Sequence, residues 1–476
     1  MAPTAADRSR LLAEAAYVGA DVTGALRTVP QLLADAHRGD PDLSGSLEAA
    51  VATAYQLLNG EGDVDTALRL LVGAIEARLG GHHADDHALT EALHTLLTVC
   101  WFGGGRAEVW KPFHAAVARL TPPAPVVLSL CAAIFADPAR TTAASLDQLD
   151  TTISHLHEEA DPARIVRIGM AAFFVDRMAG CRSAHWRVVR DGREGGAVAS
   201  AIGALIHLCL DDLLVGLWDE AWQLAYEGLD LCQAHGYQLL RWPLWFGQAF
   251  LAAGRGDDDT VRMLTDGMVQ WAAPRAARTV QLYASHARAF AALGRGDVEN
   301  AYHHAAAVSP PGILASHVPL ALWTAMDLVE AAVRSGRHAE ATAHVTALRD
   351  ADIAAMSPRL ALLACGSAAI AAPAASATGL FEEALAIPGV ERWPFDLARV
   401  RLSCGERLRR ARHRRSAGPA HRRARNLPTA SKPDRGQPGP AASYEPPATT
   451  RHSPTSWDRP RSHPKNTRSP CSPPLA

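Results

Sequence analysis

A recurrence constrains this chain more than any other feature. The segments LWDEA, DDDTV, DVENA and RHAEA end at Ala221, Val261, Ala301 and Ala341, each 40 residues after the last. LFEEA, ending at Ala384, continues the series after 43 residues, and DVDTA and RAEVW, ending at Ala67 and Trp110, are also 43 apart. GCRSA, ending at Ala184, reads as a further copy. In the four copies 40 residues apart, acidic residues fall where the first turn of a helix favours negative charge, and a small residue then faces inward. Ala221, Leu224, Ala225, Gly228 and Leu231, like Leu322, Met326, Val329 and Val333, recur at the spacing of one helix face. Gly254, Gly294 and Gly336 each follow such a stripe and precede an Arg, which predicts left-handed helix caps at these glycines.

A pair of such helices cannot cover its own apolar stripe, so its neighbours must. The interval therefore predicts an all-α superhelical solenoid of stacked antiparallel helix hairpins over residues 1–412. The type is tetratricopeptide-like, with a repeat of about 40 residues rather than 34 and correspondingly longer loops or helices. Pro394 to Arg412 forms the first helix of a further pair, with Leu397, Val400, Cys404 and Leu408 on one stripe, and no second helix follows. From His413 to Ala476 there are 13 prolines, no Ile, Val or Phe, and only Leu427 and Leu475 as larger aliphatic residues. Such a segment cannot bury enough apolar surface to offset chain entropy, so a disordered Arg/Pro-rich tail is expected at 413–476. Its composition resembles GC-rich coding sequence read in a shifted frame, which makes a frameshift product a hypothesis for the tail.

Charge divides at the same boundary. Residues 413–476 carry 12 Lys and Arg against 3 Asp and Glu, so a net charge of -2 for the chain leaves -11 on residues 1–412. An acidic body argues against a broad phosphate-binding surface. Arg414, Arg415, Arg422, Arg423 and Arg425 are expected to be a solvated charge run. Seven cysteines before the tail, mostly among apolar residues and without a CxxC pair, read as reduced thiols. Charges at Asp7, Arg8, Arg10 and Glu14 interrupt any signal-like run, so a cytoplasmic location is expected. Leu360 to Phe381 is uncharged for 22 residues, yet nine alanines and Pro373 make it a solenoid helix in expectation rather than a membrane span.

Few residues suggest chemistry. Tyr237, Arg241, Trp242, Trp245 and Phe246 gather rings and a cation in one run, which core packing explains and a ligand or partner groove would also use. His83 and His87 in GGHHADDH would share a helix face as metal ligands do, but no HExxH or distant Cys/His partner accompanies them. A solvated inter-helix loop is the expectation there, with no metal. No GxSxG elbow or other nucleophile arrangement occurs, so neither catalysis nor a cofactor is expected.

Several stretches are similar to a known family. LLAEAAYVGADVTGALRTVPQLLADA, HGYQLLRWPLWFGQAFLAAGRGDDD, MDLVEAAVRSGR and ERWPFDLARVRLSCGERLRRAR resemble the helical middle region of large LuxR-type transcriptional regulators, and such likeness covers most of residues 10–412. The resemblance implies a signal-sensing and protein-interaction arm. In that family the arm joins an N-terminal ATPase to a C-terminal helix-turn-helix. This sequence departs from the pattern at both ends. It has no GxxxxGK[ST]: its one lysine before the tail, Lys111, is followed by Pro112. Residues 413–476 cannot supply a patterned recognition helix. The resemblance thus implies a truncated, non-catalytic arm without sequence-specific DNA binding. A protein or peptide partner, self-association and a small-molecule signal are the expected interactions, with a free-standing adaptor or scaffold as the alternative.

Overall fold

The computed structural model describes residues 4–40, 46–78 and 81–425, apart from the side chains of Asp21 and 411–425. Among them are 21 α-helices packed in consecutive pairs and no strand, the one β-like contact being an isolated bridge between His83 and Thr121. The fold is the all-α solenoid that the recurrence predicts.

The interval appears directly in the helix starts. Met178, Trp218, Asp258, Val298 and His338 open the second helices of five hairpins, 40 residues apart. The fourth residues of these helices are Cys181, Ala221, Val261, Ala301 and Ala341, none more than 4% exposed. The copy at 178 is therefore in register through Cys181, not Ala184, which lies one turn further along the same buried face. The residues beyond a 34-residue unit go partly into first helices of 14 to 18 residues and partly into 3-10 turns such as Ile353–Ala355 and Val390–Arg392 between hairpins.

The caps fall two residues later than the glycine pattern suggests. Gly256 and Gly296 take positive φ, 74° and 78°, while Gly254 and Gly294 remain helical; only Gly336 is a left-handed cap as expected. In each Gly-Arg-Gly-Asp the second glycine turns left-handed. The Asp257 and Asp297 N–H groups donate back to Ala252 and Ala292 at 2.9 Å, the closure of a Schellman motif. The same two aspartates accept from the Thr260 and Asn300 N–H groups and so start the following helices. Gly254 has a different role, since a Cβ there would lie 2.9 Å from the Trp218 ring.

First helices form the inner layer. Val198–Val215 is the one helix among the described residues long and apolar enough to cross a membrane, and 78% of it is buried inside the fold, as for a helix surrounded by other helices. The uncharged stretch at 360–381 is divided between Pro358–Ala371 and Ala377–Leu385, with Pro373 in the turn.

The superhelix closes on itself through hydrogen bonds that span 174 to 217 residues. The Leu239 N–H donates to Asn59 Oδ1 at 2.9 Å across 180 residues, and the Thr279 hydroxyl donates to the Trp101 carbonyl across 178. Arg177 donates to the Met356 carbonyl across 179 residues, and Ser357 to Asp176 at 2.5 Å across 181. One turn thus takes roughly four and a half to five and a half units of the 40-residue repeat.

The last helix, expected to end at Arg412, runs over Pro394–Arg425. Leu397 and Val400 are buried on it, whereas Leu408 is 37% exposed. Arg and Ala, both strong helix formers, dominate the extra residues. The chain divides into Met1–Gly418 and a second unit beginning at Pro419. Residues 426–476, most of the expected tail, lie outside the described residues.

Arg359 fastens the closure at Asp176. Its Nε donates to Asp396 at 2.6 Å and its Nη1 reaches Asp176 at 3.5 Å, with the arginine side chain 4% exposed. Truncating one member of a buried ionic cluster strands its partners. Arg359→Met should therefore cost about 3 to 5 kcal/mol in denaturant unfolding; a loss below about 1 kcal/mol would contradict the role given to this cluster.

Candidate ligand cavity

The closed turn contains a cavity of about 230 Å³. Its walls come from the helices Leu47–Asn59, His87–Phe102, Pro162–Phe173, Val198–Val215, Arg241–Arg255 and Arg278–Arg295, and from the segment that begins as Val126–Leu130 and continues as a π-helix over Cys131–Phe135. Irregular helical turns of this kind often occur where a helix wall is shaped for a ligand. Here the π-turn contributes Cys131 and Phe135 to the lining.

Aromatic rings dominate the walls. Trp101 stacks on Trp242 with centroids 5.6 Å apart and meets Phe135 at 5.1 Å, and Trp242 contacts Tyr283 edge-on at 4.9 Å. Phe174 lies 5.9 Å from Phe135 and 5.2 Å from Phe173. Each unit supplies at least one ring: Trp101, Phe135, Phe173, His207, Trp242 and Tyr283 lie 34 to 41 residues apart along the chain. Trp101 and Phe135 come from the first half of the turn and Trp242 and Tyr283 from the second, so the cavity spans the closure.

The polar groups in the wall are held in fixed states. His185 Nδ1 faces the Cys181 carbonyl at 3.0 Å, and His185 Nε2 faces His207 Nδ1 at 3.1 Å. A carbonyl can only accept, so His185 carries its proton on Nδ1 and its Nε2 accepts from His207 Nδ1–H. His207 Nε2 is then left as an acceptor on a ring that lines the cavity. Burial pushes His185 down to about 4. Burial, with His185 alongside, also pushes His207 well below the ordinary value of 6.5. Gly169 makes the pair possible, since a Cβ there would come 2.3 Å from His185 Nε2.

A second polar group borders the cavity. Arg167 grips Glu91 with two hydrogen bonds, at 2.7 and 2.5 Å. Burial alone would raise the Glu91 carboxyl, but Arg167 holds it at about 2. Burial first, and then Arg167, keeps the neighbouring His94 neutral. Burial likewise raises the Cys131 thiol to about 12, so the sulfur in the wall stays protonated.

The aromatic run singled out in the sequence is split by its helix. Tyr237 and Trp242 line the cavity. The Tyr237 hydroxyl donates to the Ala20 carbonyl at 2.8 Å, a bond across 217 residues that helps to close the turn. Phe246 lies one helical turn beyond Trp242 and packs edge-on against Tyr283 at 4.7 Å, outside the cavity wall. Arg241 and Trp245 lie on the adjacent stripe, where the guanidinium sits 4.5 Å over the indole and donates to Gln238 at 2.7 Å. The expected groove is thus not one surface: two of its five residues reach the cavity.

His83 and His87 are not on one helix. The helix starts at His87, while His83 sits in the preceding loop bridged to Thr121, and no group of three or more potential metal ligands is found among the described residues. Sequence reasoning passed over Trp101, Phe135, Phe173, His207 and Tyr283, although a ring in each unit was a readable signal. Searches against protein-family models, curated proteins and solved structures gave no match.

The histidine pair gives stability a pH dependence. Between 6.5 and about 4 the unfolded chain takes up protons that folded His185 refuses. Folding stability should therefore be complete above pH 6.5 and decline as pH falls toward 4. Denaturant titrations across this range should show a shallower decline in His185→Phe; an unchanged slope would contradict the buried neutral pair.

Proposed function

We propose that this chain is a non-catalytic, signal-sensing and protein-interaction arm of the kind found in LuxR-type transcriptional regulators, working in the cytoplasm. The cavity is the signal-binding site, and the outer second helices offer surface to a protein partner or a second copy. The observation that carries this reading is the placement of the aromatic cavity across the superhelical closure. A molecule seated there touches Trp101 and Phe135 on one side of the turn and Trp242 and Tyr283 on the other. Its binding energy would then tighten the turn, which is how a solenoid converts occupancy into a change of its outer surface.

A further feature supports the reading. The wall holds its histidines neutral, its thiol protonated and its arginine paired, an arrangement suited to binding rather than to acid, base or nucleophile chemistry.

The test is a thermal-shift screen of the whole chain against a broad library of neutral and charged small metabolites. A binder at 100 times its Kd should stabilise the fold by about 2.7 kcal/mol. The rise should disappear in Met170→Trp, which fills the cavity from its wall. No stabilising compound, or stabilisation that survives Met170→Trp, would contradict the proposal.

A further inference from the structure

The cavity's dimensions and its fixed polar groups narrow what can bind, on the assumption that it is a sensing site. A cavity of about 150 Å³ lined by apolar side chains accommodates a benzene ring. This one, at about 230 Å³, has room for a second fused ring. Its wall carries indole and phenyl rings, and Trp101 and Trp242 stack on each other there, tilted by only 29°. Flat π-faces favour a flat guest, by offset stacking or edge contact.

The polar requirement follows from the hydrogen-bond chain. Cys181 carbonyl, His185 and His207 run in one direction, and each proton is assigned by the one before it. The chain ends on a lone pair at His207 Nε2, in a residue only 8% exposed. An acceptor in that position is satisfied by an O–H or N–H on the guest. A carboxylate or sulfonate would bring a second lone pair to it. The one cation in the wall, Arg167, offers an anion little, because Glu91 already holds both ends of its guanidinium. Asn59 accepts from the Leu239 N–H with its side-chain oxygen. Ser200 also lines the space and can accept or donate as the guest requires.

We infer that the cavity recognises a neutral, planar two-ring aromatic molecule bearing one hydroxyl or N–H, with His207 Nε2 accepting its proton. His207 is the specificity-determining residue, His185 is the positioning residue that fixes its tautomer, and the Trp101–Trp242 pair supplies the stacking surface.

Three probes that share one ring system separate the parts of this assignment: naphthalene, 1-naphthol and 1-naphthalenesulfonate, titrated into the whole chain and read by calorimetry and by quenching of tryptophan emission. The wild-type protein should bind 1-naphthol at least tenfold more tightly than naphthalene, and the sulfonate most weakly. In His207→Phe, with its fold checked by circular dichroism, the preference for naphthol should vanish while naphthalene affinity stays within about threefold. Met170→Trp should lose both neutral probes, which keeps the assignment testable if the histidine variant fails to fold. Equal binding of naphthol and naphthalene by the wild type, retention of the preference in His207→Phe, or tightest binding of the sulfonate would each overturn it. If none of the three binds while the metabolite screen still yields a cavity-dependent stabiliser, this assignment falls and the sensing role stands. An empty screen removes the sensing role itself.

Discussion

Asp176 and Arg359 are 183 residues apart in the chain and meet in the core because the solenoid returns to itself after one turn. That return underlies the remaining structure. A stack of hairpins satisfies neighbouring apolar stripes but leaves its inner face open, and an open inner face lined with Trp, Phe and His would be exposed to water. The tight turn reduces the exposure by laying Trp101 against Trp242 and Tyr283, and Phe173 against Trp323. The bonds at the seam are mainly hydrogen bonds from side chains to backbone carbonyls, as with Tyr237 to Ala20, Arg177 to Met356 and Arg140 to Leu314. Such bonds depend little on the identity of the accepting residue, so the seam can hold while the residues at its edges vary.

The sensing proposal is a consequence of the same geometry. A groove on an open superhelix would meet its ligand on one surface, whereas a cavity inside a closed turn meets it on two. Occupancy and closure are then coupled, and the coupling needs no catalytic group. Signal transmission by small shifts of packed helices is a recognised mode of allostery, since packed interfaces move between discrete arrangements.

Much of the fold was legible in the sequence. The 40-residue spacing that begins at Ala221 gives the second helices almost to the residue, because acidic first turns and a small fourth residue are local requirements. The cap positions were misplaced by two because both glycines of Gly-Arg-Gly satisfy the local rule, and only hydrogen bonding to Ala252 and Ala292 decides between them. The last helix passes Arg412 because Arg and Ala favour helix even without a partner. The cavity was less legible. Trp242 and Tyr237 could be picked out as part of a dense aromatic run, but Arg241 and Trp245 share that run and lie on another stripe. His207 sits in an apolar helix like any core residue, and its partner His185 lies 22 residues earlier. The juxtaposition of Trp101 with Trp242 and Tyr283 depends on the number of units per turn, which no local pattern encodes.

The closure can be measured through a pair on its seam that lies outside the cavity wall. Trp218 and Phe395 have ring centroids 5.4 Å apart across the turn. A double-mutant cycle, with Trp218→Ala, Phe395→Ala and both together followed by denaturant unfolding, reads their direct interaction. A closed superhelix predicts a coupling of about 0.5 to 1.5 kcal/mol. Additivity within about 0.3 kcal/mol would mean that the two rings do not meet, and that the turn is open.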